Sequence, residues 1–202
     1  MALEFINREI LVDSNLDCAE RVENKMYIEG TDVLVVYYHT SLKWEGHDSN
    51  EPFHMFRHDY NRDRGGKNFP VQIAEIADST NWHSFIWFPY EVSIGDKYRF
   101  TIRYAHEFQH YRQFHDGTSL QHAREYLRES SIPLNKRKYR IDHVPSELDA
   151  DRVAVKVFLG IHGHGGYEAF VKSESKKPNM ARYFAKLNLK IKDMDEKYEA
   201  IA

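Results

Sequence analysis

The feature that most restricts what this chain can fold into is the segment 104–111, YAHEFQHY. It holds His106, Glu107 and His110 in the pattern H-E-x-x-H. On a helix, residues four apart lie on one face, one turn above the other. Two imidazoles so placed can bind one Zn²⁺. Glu107 then sits beside the metal, where a carboxylate can take a proton from a water that the metal has acidified. The chain has 12 histidines, so this spacing can arise by chance, and the two rings could be ordinary surface or core residues. A third ligand, which the motif does not supply, decides between the two readings.

The 202 residues, 42% hydrophobic and 14% aromatic, suit one globular domain with a real core. We expect a helix and strand portion over 1–95, the metal-site helices over 96–160 and C-terminal helices over 161–202. A net charge of −3 argues against nucleic acid as the main partner, because phosphate affinity needs a basic surface. No apolar run reaches the ~20 residues of a membrane span. The first residues show no secretory signal. The single cysteine, Cys18, fits a reducing cytoplasm and reads as a small buried residue.

Asp13 and Ser14 are suited to cap a helix reaching about Met26. Residues 32–41, DVLVVYYHTS, read as a buried strand. Residues 44–66 read as a long polar loop with a short strand near 53–58. Its His47, His54 and His58 are weighed as extra ligands, although loop histidines are usually exposed. Residues 70–78 suit a short helix, and 82–92 suit a strand. Pro89 removes a ladder donor, which places that strand at an edge or ends it there. A free edge there could pair with an extended peptide substrate; an ordinary core strand is the equal alternative. Asp96 caps the motif helix, which continues to about Phe114 before Asp116-Gly117. His115 and His122 lie off the ligand face. Thr118 can cap a further helix to about Ser130. The basic run 136–138 reads as a solvated loop face.

Pro145-Ser146 opens a helix, SELDADRVAVKVFLG, that should end at Gly160. Glu147 and Asp151 share one of its faces. Glu147 can supply the third ligand, and Asp151 can accept from the free N–H of a ligand histidine. The competing view is an acidic helix start that suits the helix dipole. A donor for the oxyanion is sought in Tyr139, Arg140 and His143, or in His162 and His164 of the loop IHGHGG, which could act as a lid. Tyr139 and His143 are the expected choices. Over 167–202, Phe170, Tyr183, Phe184, Leu187, Leu189, Ile191 and Met194 read as core-facing helical positions.

The segments YRFTIRYAHEFQHYRQ and SELDADRVAVKVF resemble the ImmA/IrrE-like zinc metallopeptidases, with their R-x-x-x-A-H-E-x-x-H helix and later E-x-x-A-[DN] helix. Arg103, Ala105, His106, Glu107 and His110 fit the first motif; Glu147, Ala150 and Asp151 fit the second. Phe108-Gln109 stands where the family carries a small or glycine-containing pair. The resemblance spans about 98–160. It implies an α+β, zincin-like fold with a small twisted sheet, an active-site helix and a mostly helical C-terminal half. It also implies Zn²⁺ held by His, His and Glu, and cleavage of a protein substrate, often a transcriptional repressor. Against this stand a zinc-holding module that cuts nothing, a deformylase-type hydrolase, which would want a cysteine ligand, and a DNA-binding regulator, which charge and motifs disfavour.

Overall fold

Two short strands, β2 (Val33–Tyr37) and β4 (Ser84–Phe88), are buried at every position. That requires cover on both faces, and their apolar runs reflect it. Val33, Val35, Tyr37, Ile86 and Phe88 enter one core. Leu34, Val36, Phe85 and Trp87 enter the other. The computed structural model describes residues 3–38, 52–57, 60–61, 71–130 and 145–176. It is an α+β arrangement with a mixed four-stranded sheet and mostly helical content.

The sheet order is β1-β2-β4-β3, with β1 (Leu3–Ile6) parallel to β2, β2 parallel to β4, and β3 (Phe53–Phe56) antiparallel to β4. The strand expected over 82–92 is therefore interior rather than at an edge. It is also shorter, because Pro89 leads into the one-turn helix α3 (Tyr90–Ser93). Among the described residues, the edges of the sheet are β1 and β3. β1 has no counterpart in the sequence reading; four residues carry little periodicity.

On one face of the sheet lie α1 (Asp13–Met26) and α4 (Lys97–His115), contributing Ala19, Val22, Phe100, Tyr104 and Phe108 to the core. On the other lies α2 (Val71–Ser79), with Ile73 and Ala77. α1 begins at Asp13, but its N-cap residue is Val12 and no side chain caps it. For α4, the Asp96 carboxylate accepts from the N–H groups of Tyr98 and Arg99, both at 3.0 Å. Asn15 holds α1 to the entry of that helix, donating to Ser93 O at 2.8 Å and Gly95 O at 3.1 Å. A Cβ at Gly95 would stand 2.6 Å from Glu91 O, which excludes a side chain there. At α5 (Thr118–Ser130) Asp116, not Thr118, accepts, taking both the Thr118 N–H and hydroxyl.

The helix α6 starts at Pro145 as expected but continues past Gly160 to Glu174, with a kink at Gly163 (φ 69°, ψ 177°). This backbone conformation strains any residue with a Cβ. Beyond it, Tyr167 and Phe170 fold back onto Phe158, and Phe170 is buried as anticipated. The segment 161–166 thus holds the kink where two helical stretches meet, in place of the open loop expected there. The remaining C-terminal positions, from Tyr183 to Met194, lie outside the described residues. Among the described residues, no helix is long and apolar enough to cross a membrane.

Candidate metal centre

α4 and α6 pack along one another, and their contact carries the site. His106 and His110 project from α4 one turn apart, with their Nε2 atoms 3.1 Å from each other. Glu147, in the first turn of α6, spans both rings: Oε2 lies 3.2 Å from His106 Nε2 and Oε1 lies 3.3 Å from His110 Nε2. Three ligands bound tetrahedrally at 2.0–2.1 Å stand about 3.3 Å from one another, by the geometry of a tetrahedron. The two imidazole nitrogens stand close to that edge length, and Glu147 meets each with a different oxygen, so that one ligand atom from each of the three residues lies within 4.8 Å of the others.

The outer ring nitrogens fix which atoms carry lone pairs. His106 Nδ1 is 3.0 Å from Asp151 Oδ1, a carboxylate that can only accept. His110 Nδ1 is 3.1 Å from Gln113 Oε1. The Gln113 amide nitrogen donates to Ser146 O and to Asp149 Oδ2, both at 2.8 Å. Both partners accept, so the amide oxygen must face His110. Each histidine therefore donates from Nδ1 and turns an Nε2 lone pair inward. Two lone pairs and a carboxylate converge on one point, an arrangement that repels itself until a cation or protons enter. Among the described residues, these three form the only group of ligand-type atoms so gathered.

The electrostatics agree. Burial works to lower the His106 pKa, but its hydrogen bonds to Asp151 and Glu147 outweigh it and push it up to about 10. Burial likewise opposes His110, and the Glu147 bond raises it. The two imidazoles hold the Glu147 carboxyl far below the usual carboxylate range. Glu107 is buried at 7% exposure. Burial raises its pKa, and the charges of His106 and His110 pull against that rise. The Glu147 side chain is 52% exposed, so the centre opens to solvent on that side.

Gln109 and Gln113 were not expected to matter. They lie one turn apart on α4, and both donate to Asp149, at 2.9 and 2.8 Å. They fasten the start of α6, and hence Glu147, against the motif helix. The spacing Gln109–Gln113, beside Asp149 in SELDAD, was the available signal.

His162 serves elsewhere. Thr101 gives its hydroxyl proton to Lys97 O at 2.8 Å. The His162 Nε2 at 2.9 Å must then donate to Thr101 Oγ1, with the buried Cys18 sulfur 3.8 Å away. That occupation removes His162 from the expected oxyanion donors. His164 is exposed. Tyr139, Arg140 and His143 lie outside the described residues, as do His47 and His58.

His54 lies on strand β3, within the short strand expected near 53–58, and is not exposed as a loop histidine would be. Burial, then the nearby charges of His110 and His115, hold its imidazole well below the usual histidine range.

Comparison of the chain with protein-family models, with curated proteins and with solved structures gave no match.

Proposed function

We propose that this protein is a zinc-dependent peptidase that hydrolyses a peptide bond in a protein substrate. The carrying observation is the pair of His106 and His110 Nε2 atoms, 3.1 Å apart and spanned by the two oxygens of Glu147 at 3.2 and 3.3 Å, beside a buried Glu107. The donor set, two imidazoles and a carboxylate, is that of catalytic zinc sites with one position left open. When bound, Zn²⁺ would supply Lewis acidity, acidifying a water and polarising the scissile carbonyl.

The residues of the chain do the rest. Asp151 and Gln113 hold the rings in the tautomer that presents Nε2. Glu107 takes a proton from the attacking water and delivers it to the leaving amine nitrogen. Its burial favours the first transfer, because a carboxylate starved of solvent takes up and holds a proton more readily. The outer edge of β3, beside α4, is suited to pair with an extended substrate segment. That moves the expected substrate edge from residues 82–92 to 53–56.

The antiparallel edge strand above a motif helix suits a zincin-like fold. The resemblance to ImmA/IrrE-like peptidases makes a repressor or other regulatory protein the favoured target class.

The reading is tested with zinc-loaded protein and a peptide library, cleavage being followed by mass spectrometry. Glu107→Gln should keep one zinc per chain and lose at least about 10²-fold in rate, the usual scale of general base catalysis. A Glu107→Gln variant that cuts as fast as the parent removes Glu107 as the base. A zinc-loaded parent that cuts nothing favours the binding module instead.

A further inference from the structure

His54 is a polar group that the chemistry above leaves unused. On β3, His54 pairs with Ile86 and Phe56 with Ser84. Ile86 belongs to the core beneath α4, so His54 and Phe56 face that helix. Two residues along a strand cover about 6.6 Å and one helical turn about 5.4 Å. The strand pair 54 and 56 can therefore meet the helix pair 110 and 114. The ring of His54 lies 6.4 Å from that of His110, with planes 29° apart, and Phe56 stacks on Phe114 at 4.1 Å. Phe56 also presents its ring edge-on to His54 at 4.3 Å.

Nε2 of His54 is sealed from solvent and has no hydrogen-bond partner among the described residues, while the residue as a whole keeps partial exposure. A polar nitrogen buried without a partner costs stability. Native proteins rarely keep one unless the partner arrives with a ligand or the group serves the chemistry. His54 is not itself part of the converging ligand group, which consists of His106, His110 and Glu147. It stands beside that group, on the strand whose outer edge is suited to take the substrate.

We propose that His54 is a substrate-binding residue of this site. Its Nε2–H donates a hydrogen bond to a carbonyl or oxyanion oxygen of the ligand held at the His106, His110 and Glu147 group. The assignment rests on the zinc-peptidase reading above. Phe56, edge-on to His54 and itself stacked on Phe114, holds the ring in place, and the arriving ligand has only to displace what covers Nε2. His54 also supplies, from the edge strand, a donor of the kind first sought in the segment 139–143.

The test uses the full chain, as the parent, His54→Leu and His54→Gln. Two quantities are read: calorimetric binding of acetohydroxamate to the zinc-loaded proteins, and thermal unfolding of the metal-free proteins. His54→Leu should keep one zinc per chain and bind acetohydroxamate at least about tenfold more weakly, the loss of one buried hydrogen bond. His54→Gln keeps a side-chain donor and should recover part of that affinity. Metal-free His54→Leu should melt about 2–6 °C higher than the parent, because an unpartnered polar atom is gone. Unchanged acetohydroxamate affinity in zinc-loaded His54→Leu overturns the assignment and leaves the zinc reading intact. Loss of zinc from His54→Leu also overturns it, by making His54 a ligand. A parent protein that takes up no zinc overturns the reading beneath and this assignment with it.

Discussion

Two acceptors behind the histidines decide how well the centre is formed. Asp151 and Gln113 take the Nδ1 protons of His106 and His110, and without them either ring can turn its lone pair outward. Outer partners of this type typically account for 10–100-fold in metal affinity. Asp151→Ala and Gln113→Leu should each weaken zinc binding by about that factor, read by competition with a chelating dye. The two differ in their side effects. Gln113 is buried and also ties Ser146 and Asp149, so its loss should lower stability as well. Asp151 is only partly buried, and its loss should act mainly on the metal. Equal zinc affinity in parent and both variants would show that the ligand rings are oriented by packing alone.

The motif helix is fixed from behind by a second polar cluster. Glu23 on α1 is buried, and it accepts from Tyr104 OH at 2.7 Å and from Arg8 Nη2 at 2.8 Å; Tyr37 OH in turn donates to Tyr104 OH at 2.9 Å. Tyr104 stands two residues before His106, so this chain of bonds helps set the position of α4 on the sheet. Tyr104→Phe leaves the Tyr37 hydroxyl and one Glu23 oxygen without a partner. It should cost about 1–3 kcal/mol, measured by urea unfolding; a change under about 0.5 kcal/mol would mean that water replaces the lost hydroxyl. Local chemistry marked the helices well: Asp96 before α4, Asp116-Gly117 after it and Pro145 at the start of α6 are all short-range signals. Glu147 and Asp151 could be singled out because one helical turn separates them. Strand order was not legible in the same way. Whether β4 is interior depends on β3 and β2, which are remote in sequence, and Pro89 marks only where β4 ends. The short strand near 53–58 was legible, but the burial of His54 on it was not, because that depends on α4, which is remote in sequence. The Gln109–Asp149–Gln113 tie was hidden because two glutamines on a helix resemble a solvated face until the second helix is in place.

For the molecule as a whole, the centre joins α4 to α6, helices whose ligands lie 41 residues apart in the chain, so the site exists only when both are docked. An ion that binds this folded arrangement alone stabilises it by mass action, by about 4 kcal/mol when free zinc is a thousandfold above Kd. In the metal-free protein, protons take the place of the cation, which gives a pH dependence with a definite sign. His106 rises from its ordinary 6.5 to about 10 in the fold. Its contribution is therefore complete below pH 6.5 and is lost as pH climbs through about 10. Glu147 is depressed from 4.5, so its contribution is present above about pH 4.5 and fades only on strong acidification. From pH 6.5 to 9.5 the metal-free protein should thus melt at progressively lower temperature. Zinc, which requires these nitrogens unprotonated, should flatten that slope and release protons as it binds. Melting curves at pH 6.5, 8 and 9.5, with and without zinc, check this. His106→Gln separates the site from other titrating groups, because it should remove most of the metal-free slope. An identical slope in all three samples would place the pH dependence elsewhere in the molecule and leave the converging imidazoles without the charge coupling that their geometry demands.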